Sequence, residues 1–131
     1  MISASNALQG ALVAKLNESS LFTGVYHDAP ARALFPYAVV NCSDERDWSC
    51  VGRSGREISL QLVLWDEQPS RLLTREGDAE FLLQALDAGL AWHLSTFVLT
   101  GKRRSRNPGG PWSCTLEFRA RLIEQENGAS E

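Results

Sequence analysis

Three cysteines, two histidines, an acidic run and a basic run are the side chains in this sequence that chemistry would use. Cys42, Cys50 and Cys114 are widely spaced, and Cys42/Cys50 do not form the C-x-x-C pair of a zinc or redox site. His27 and His93 stand at no metal-ligand spacing from them. A Cys–His nucleophile pair can be drawn with any of the thiols, but thiols packed on strands are the reading the spacing supports. Asp44, Glu45 and Asp47 cluster, yet Arg46 interrupts them and the ligand pattern of a calcium loop is absent. This segment reads as a solvated loop. "GRSGR" at 52–56 lacks the lysine and the following helix of a phosphate loop.

The basic run "KRRSR" at 102–106 sits beside the turn "NPGG". Strand alternation puts Lys102 and Arg104 on one face, and Arg103 with Ser105 on the other. Arg119 and Arg121 on the next strand extend a basic stripe over the outward face, with Glu117 and the 44–47 loop as candidate partners. Arg103, Arg104, Arg106, Arg119 and Arg121 then fit pairing between subunits, protection of an edge strand or contact with nucleic acid. The balance of 13 Lys+Arg against 16 Asp+Glu, net charge -3, argues against a dedicated nucleic-acid binder. Trp48 and Trp112 either mark contact sites on exposed arms or fold back onto the sheet. The sequence leaves both open.

Seven elements must position these groups. Asn6 and Gln9 have capping-box spacing, and Leu8, Leu12 and Leu16 recur at helical spacing, predicting a helix over 7–18. "GVYHDAP" reads as a short strand, and "FPYAVVN" at 35–41 as a second, followed by a long loop or hairpin arm over 42–55. In "REISLQLVLWDE", 56–67, Ile58, Leu60, Leu62 and Leu64 share the core face. Ser70 is a candidate cap for a second helix over 71–88, with Gly89 as its stop. Strands follow over 92–105 and 112–124, the latter with Cys114, Leu116, Phe118, Ala120 and Leu122 inward.

The order α-β-β-β-α-β-β predicts an α+β fold, an antiparallel or mixed sheet with two helices packed on one face. The other face meets water or another subunit. The 131 residues suit one domain over 1–124, with 125–131 as a disordered polar tail. No apolar run approaches the ~20 residues of a membrane span, and no signal peptide is visible, so synthesis in the cytoplasm with reduced thiols is expected.

From Ala7 to Leu122 the chain resembles the tail terminator, or tail completion, family of long-tailed phages and gene transfer agents. The resemblance is carried by "ALQGALVAKL", "GVYHDAP", "FPYAVV", a "DWS" loop leading into "GREISLQLVLW", an Ala- and Leu-rich helix, "RSRNPGGPW" and "LEFRARL", in that order and spacing. It implies a tail-terminator-like fold and a structural virion protein, not an enzyme, with no catalytic residue, metal or cofactor to carry over. Family members form a six-subunit ring that caps the tail tube, ends its growth and offers a surface for head–tail joining. The implied partners are further copies of the chain, the major tail tube protein, a head–tail connector or stopper protein and the tape measure protein. DNA passing through the channel would make only weak contact. A neck connector protein is the alternative of the same class, and a small nucleic-acid-binding module the alternative of another. The subunit or tube interface is expected on the loop Asp44, Glu45, Arg46, Asp47 and Trp48, the hairpin Arg103, Arg104, Arg106 and Trp112, and Arg119 and Arg121.

Overall fold

The structure is a computed structural model that describes residues 3–28, 30–89 and 91–125. The expected tail at 125–131 lies outside the described residues except for Gln125. The elements are α1 (Ala4–Glu18), β1 (Gly24–Tyr26), β2 (Tyr37–Asp47), β3 (Gly55–Asp66), α2 (Pro69–Leu83), β4 (Trp92–Arg106) and β5 (Trp112–Glu124). This is the α-β-β-β-α-β-β order that the sequence implies.

The strands form one mixed sheet in the order β1-β2-β3-β5-β4. β1 runs parallel to β2, and the remaining neighbours are antiparallel. α2 carries the chain from β3 across β5 to the edge position of β4. Both helices pack on one face. Leu8, Leu12 and Leu16 of α1 and Leu72, Ala79 and Leu83 of α2 join one buried cluster with Val40, Ile58, Leu60, Leu62, Leu64, Leu116, Phe118 and Leu122. All five inward residues expected on β5 are buried, as are the four on β3. Period-2 alternation is a strong signal where one sheet face is covered and the other is not.

Element ends differ from the sequence reading for local reasons. α1 starts three residues early because Ser3, not Asn6, is its cap: the Ser3 hydroxyl accepts the Asn6 N–H at 3.2 Å. α2 starts at Pro69, where a missing N–H costs nothing in the first turn. It ends at Leu83; i→i+3 bonds then carry a tighter turn to Leu86. Gly89 takes φ 99°, a left-handed conformation suited to glycine, beyond the helix rather than at its end.

The largest difference lies at 42–47. Of the two readings, loop or hairpin arm, the arm is the one found: these residues continue β2, pairing Asp44 with Ser59 through Asp47 with Arg56 after a bulge at Ser43. A polar strand holds here because β3 supplies a regular ladder, and the β2 charges find partners across it. The loop proper is short: Trp48 bonds Gly55, and Cys50 pairs with Arg53 around Gly52.

Candidate assembly surface

β4 divides the basic run between two faces. Lys102, Arg104 and Arg106 face the helix layer, opposite Leu116, Cys114 and Trp112 of β5; Arg103 and Ser105 face outward. Two bulges, at Ser95 and Thr100, set this phase.

On the inner side, Arg104 and Lys102 converge on Glu76 of α2. Arg104 donates two hydrogen bonds to its carboxylate, at 2.6 and 3.0 Å, and Lys102 Nζ lies 2.9 Å away. Lys102 also donates to Glu80 at 2.6 Å, and Cys114 Sγ–H donates to Glu76 Oε2 at 3.1 Å. Glu76 is only 2 % exposed. Burial opposes its charge, but hydrogen bonds from Arg104, Lys102 and Cys114 outweigh that and hold its carboxyl below the usual range. The Cys114 thiol is pushed up to about 12, by burial and then by Glu76, so it stays protonated and acts as a donor. The arrangement fastens α2 to the long edge strand and leaves no activated nucleophile.

A second carboxylate anchors the other end of α2's approach. Asp66, fully buried, takes both Arg71 nitrogens at 2.6 Å and the Gln68 N–H at 3.1 Å. Burial raises its pKa, but the Arg71 and backbone bonds dominate and lower it.

The outer face carries a lattice of charges in register. Glu57 opposes Arg121 on β5 and Arg46 on β2; Gln61 opposes Glu117. Arg121 Nε donates to Glu57 at 2.8 Å, Arg46 Nε lies 3.7 Å from Glu57, and Arg46 Nη2 donates to Asp44 at 3.0 Å. The Arg121 hydrogen bond is the main reason the Glu57 carboxyl sits below its ordinary value. Arg103 lies 3.6 Å from Glu117, which also accepts from Gln61 at 3.3 Å. Trp48 lies back over Arg121, ring centroid to guanidinium 5.2 Å, and Trp112 carries Arg106 at 5.3 Å. Both tryptophans therefore pack against arginines of their own chain.

The structure thus brings together Asp44, Arg46, Trp48 and Arg121 at one end of the outer face. Arg103 and Arg119 stand farther along it, and Arg104 lies on the opposite side of the sheet. Glu45 turns to the helix side, accepting from Arg56 at 2.8 Å and from Ser5; Asp47 accepts from Ser49 at 2.6 Å. Sequence reasoning missed Glu57, Glu76 and Glu80 as partners. Glu76 had a signal: Leu72, Glu76, Ala79 and Leu83 share one helical stripe, and a glutamate in a buried stripe calls for a cation opposite.

Among the described residues, no group of three or more His, Cys, Asp or Glu side chains could hold a metal ion. No described helix is long and apolar enough to cross a membrane.

Comparison with curated proteins gave no match. Among solved structures, the chain is similar to a component of a "virion of native gene transfer agent (GTA) particle". The TM-score is 0.73 at 18 % identity, covering 94 % of this chain and 99 % of that one, which establishes a shared fold. The family model described as tail completion protein gp17 matches residues 6–123. That span takes in both helices almost entirely and all five strands, so the chain belongs to the tail completion protein gp17 family and is a structural tail protein of a phage-type virion.

Proposed function

We propose that this chain forms a homohexameric ring on the last ring of the tail tube, ends tube polymerisation and presents the surface on which the head is joined. The observation that carries the reading is the family match over residues 6–123. A fold shared with a component of a gene transfer agent virion is consistent with it. The partners are other copies of the chain, the major tube protein, a head–tail connector or stopper protein and the tape measure protein.

The distribution of charge supports protein contact over nucleic-acid binding. Lys102 and Arg104 are spent on Glu76 and Glu80. Arg46 and Arg121 are engaged by Asp44 and Glu57. Few cations are left to track a phosphate backbone, so contact with DNA in the channel is weak and salt-sensitive. Heterologous assembly of identical chains needs two different complementary patches. The outer sheet face, which no helix covers, offers the area for one.

Deletion of the gene followed by negative-stain electron microscopy of the lysate tests this reading. Overlong tails that fail to join finished heads are the expected result. Tails of normal length that still fail to join would favour a neck connector role. Normal joined particles would overturn both.

A further inference from the structure

The outer sheet face balances its charges within the chain, with two exceptions of opposite sign. Asp44, Glu57 and Glu117 each have an arginine within 4 Å: Arg46, Arg121 and Arg103. Arg119 makes no ion pair with any described residue, and its Nε is buried without a hydrogen-bond partner. It acts on Glu57 only at longer range. Asp28 is exposed and makes no ion pair or hydrogen bond with any described residue.

Each of the two walls a hollow on this face. Arg119 lines one of about 250 Å³ with Ser43, Ser59, Gln61, Thr100 and Glu117. The Glu117 carboxylate is already engaged by Gln61 and Arg103, which leaves Arg119 as the unmatched charge there. Asp28 lines another of about 310 Å³ with His27, Val39, Asn41, Val63 and Trp65. Inside one chain they cannot meet. Arg119 is on β5 and Asp28 follows β1, three strand positions away, roughly 14 Å at the usual strand spacing.

A guanidinium without an acidic partner is best matched by a carboxylate, whose two oxygens can accept from its N–H groups. The chain carries a matching carboxylate on the same face, in a place that only another copy can use.

We propose that Asp28 of one copy pairs with Arg119 of a second copy. Such a contact can close a two-fold pair, in which it occurs twice, or repeat head-to-tail; the ring reading above selects the head-to-tail arrangement. It rests on the self-assembly reading above and names the charge pair that reading requires.

The test is a charge swap in particles. A deletion strain is complemented with Asp28→Arg, Arg119→Asp or both together, and joined particles are counted by electron microscopy. Each single reversal lowers the count about tenfold or more, and the double reversal restores it to within about threefold of the unmodified gene. Unmodified counts in both singles would overturn the pair while leaving the ring reading standing. Normal particles from the deletion itself would overturn the ring reading and the pair together. In case Arg119→Asp disturbs folding, Asp28→Cys with Arg119→Cys on a Cys50→Ser background is oxidised in purified particles. Covalent multimers are expected, and chains that remain monomeric would overturn the pair.

Discussion

The two sides of β4 and β5 use the same residue types for different ends. On the helix side, Arg104 and Lys102 close on a carboxylate that is 2 % exposed, and a protonated thiol completes the shell. On the outer side, Arg103, Arg119 and Arg121 stand among Glu57 and Glu117 in a half-buried lattice on the uncovered sheet face. The inner cluster is an anchor for the fold, because its carboxylate is buried and losing the cations that match it would leave that charge unmatched. The outer lattice contributes less to folding, since its pairs are half-buried to exposed, remain partly screened and cost side-chain entropy. Its value lies in what it offers to another protein. A basic run that looks uniform in sequence is thus divided by alternation into a structural half and a contact half.

The largest effect should separate these halves most clearly. Glu76→Ala should cost about 2–4 kcal/mol of stability, below the figure for a fully enclosed pair because the Arg104 side chain is 51 % exposed. Chemical denaturation of the purified protein measures it. An effect within the range of an exposed pair would erase the distinction drawn here.

Acidity sharpens the same contrast. The folded pKa values of Glu76 and Asp66 lie below their unfolded values. Their contribution is therefore fully present above the unfolded carboxylate range, near pH 4, and is lost as pH falls through the folded values. Thermal melts from pH 6 down to about pH 2 should show Tm dropping in the unmodified protein. Glu76→Gln should start lower and lose less over that interval, since Gln has no proton to take up.

A smaller effect belongs to the outer lattice. Arg121→Ala removes the Glu57 hydrogen bond and the Trp48 contact. It should change Tm by a small fraction of the Glu76→Ala shift, and the remaining change should shrink further in high salt. A salt-independent loss as large as that of Glu76→Ala would mean that the outer lattice also holds the fold.

The smallest intervention is labelling of the thiols. Cys50 is exposed, Cys42 half-buried and Cys114 buried with a pKa near 12. A thiol reagent at neutral pH should modify Cys50 first, and Cys114 only after unfolding. Early labelling of Cys114 in folded protein would show that α2 lifts readily from β4.

How far the sequence disclosed this depends on the element. β3 and β5 were legible residue by residue because one covered face imposes strict alternation; Ile58 to Leu64 and Cys114 to Leu122 are the core that pattern describes. The second half of β2 was not. Asp44, Arg46 and Asp47 have poor strand character alone, and only the ladder with β3 and the charges at Glu57 and Arg56 make a strand of them. The parallel placement of β1 beside β2 was hidden for a similar reason, since three residues carry no directional signal. In the candidate surface, the division of Lys102 and Arg104 from Arg103 followed from alternation, although two bulges intervene upstream. The partners of these cations did not, because Glu76 lies 26 and 28 residues away from them and contact over that span is decided by packing.

The measurement that tests the central claim most directly is location of the chain in intact particles. An epitope appended to the C-terminus, detected with gold-labelled antibody in the electron microscope, would mark its position. The account predicts label in a single band at the head-proximal end of the tail tube. Label along the tube, at its distal tip or on the head surface would contradict it.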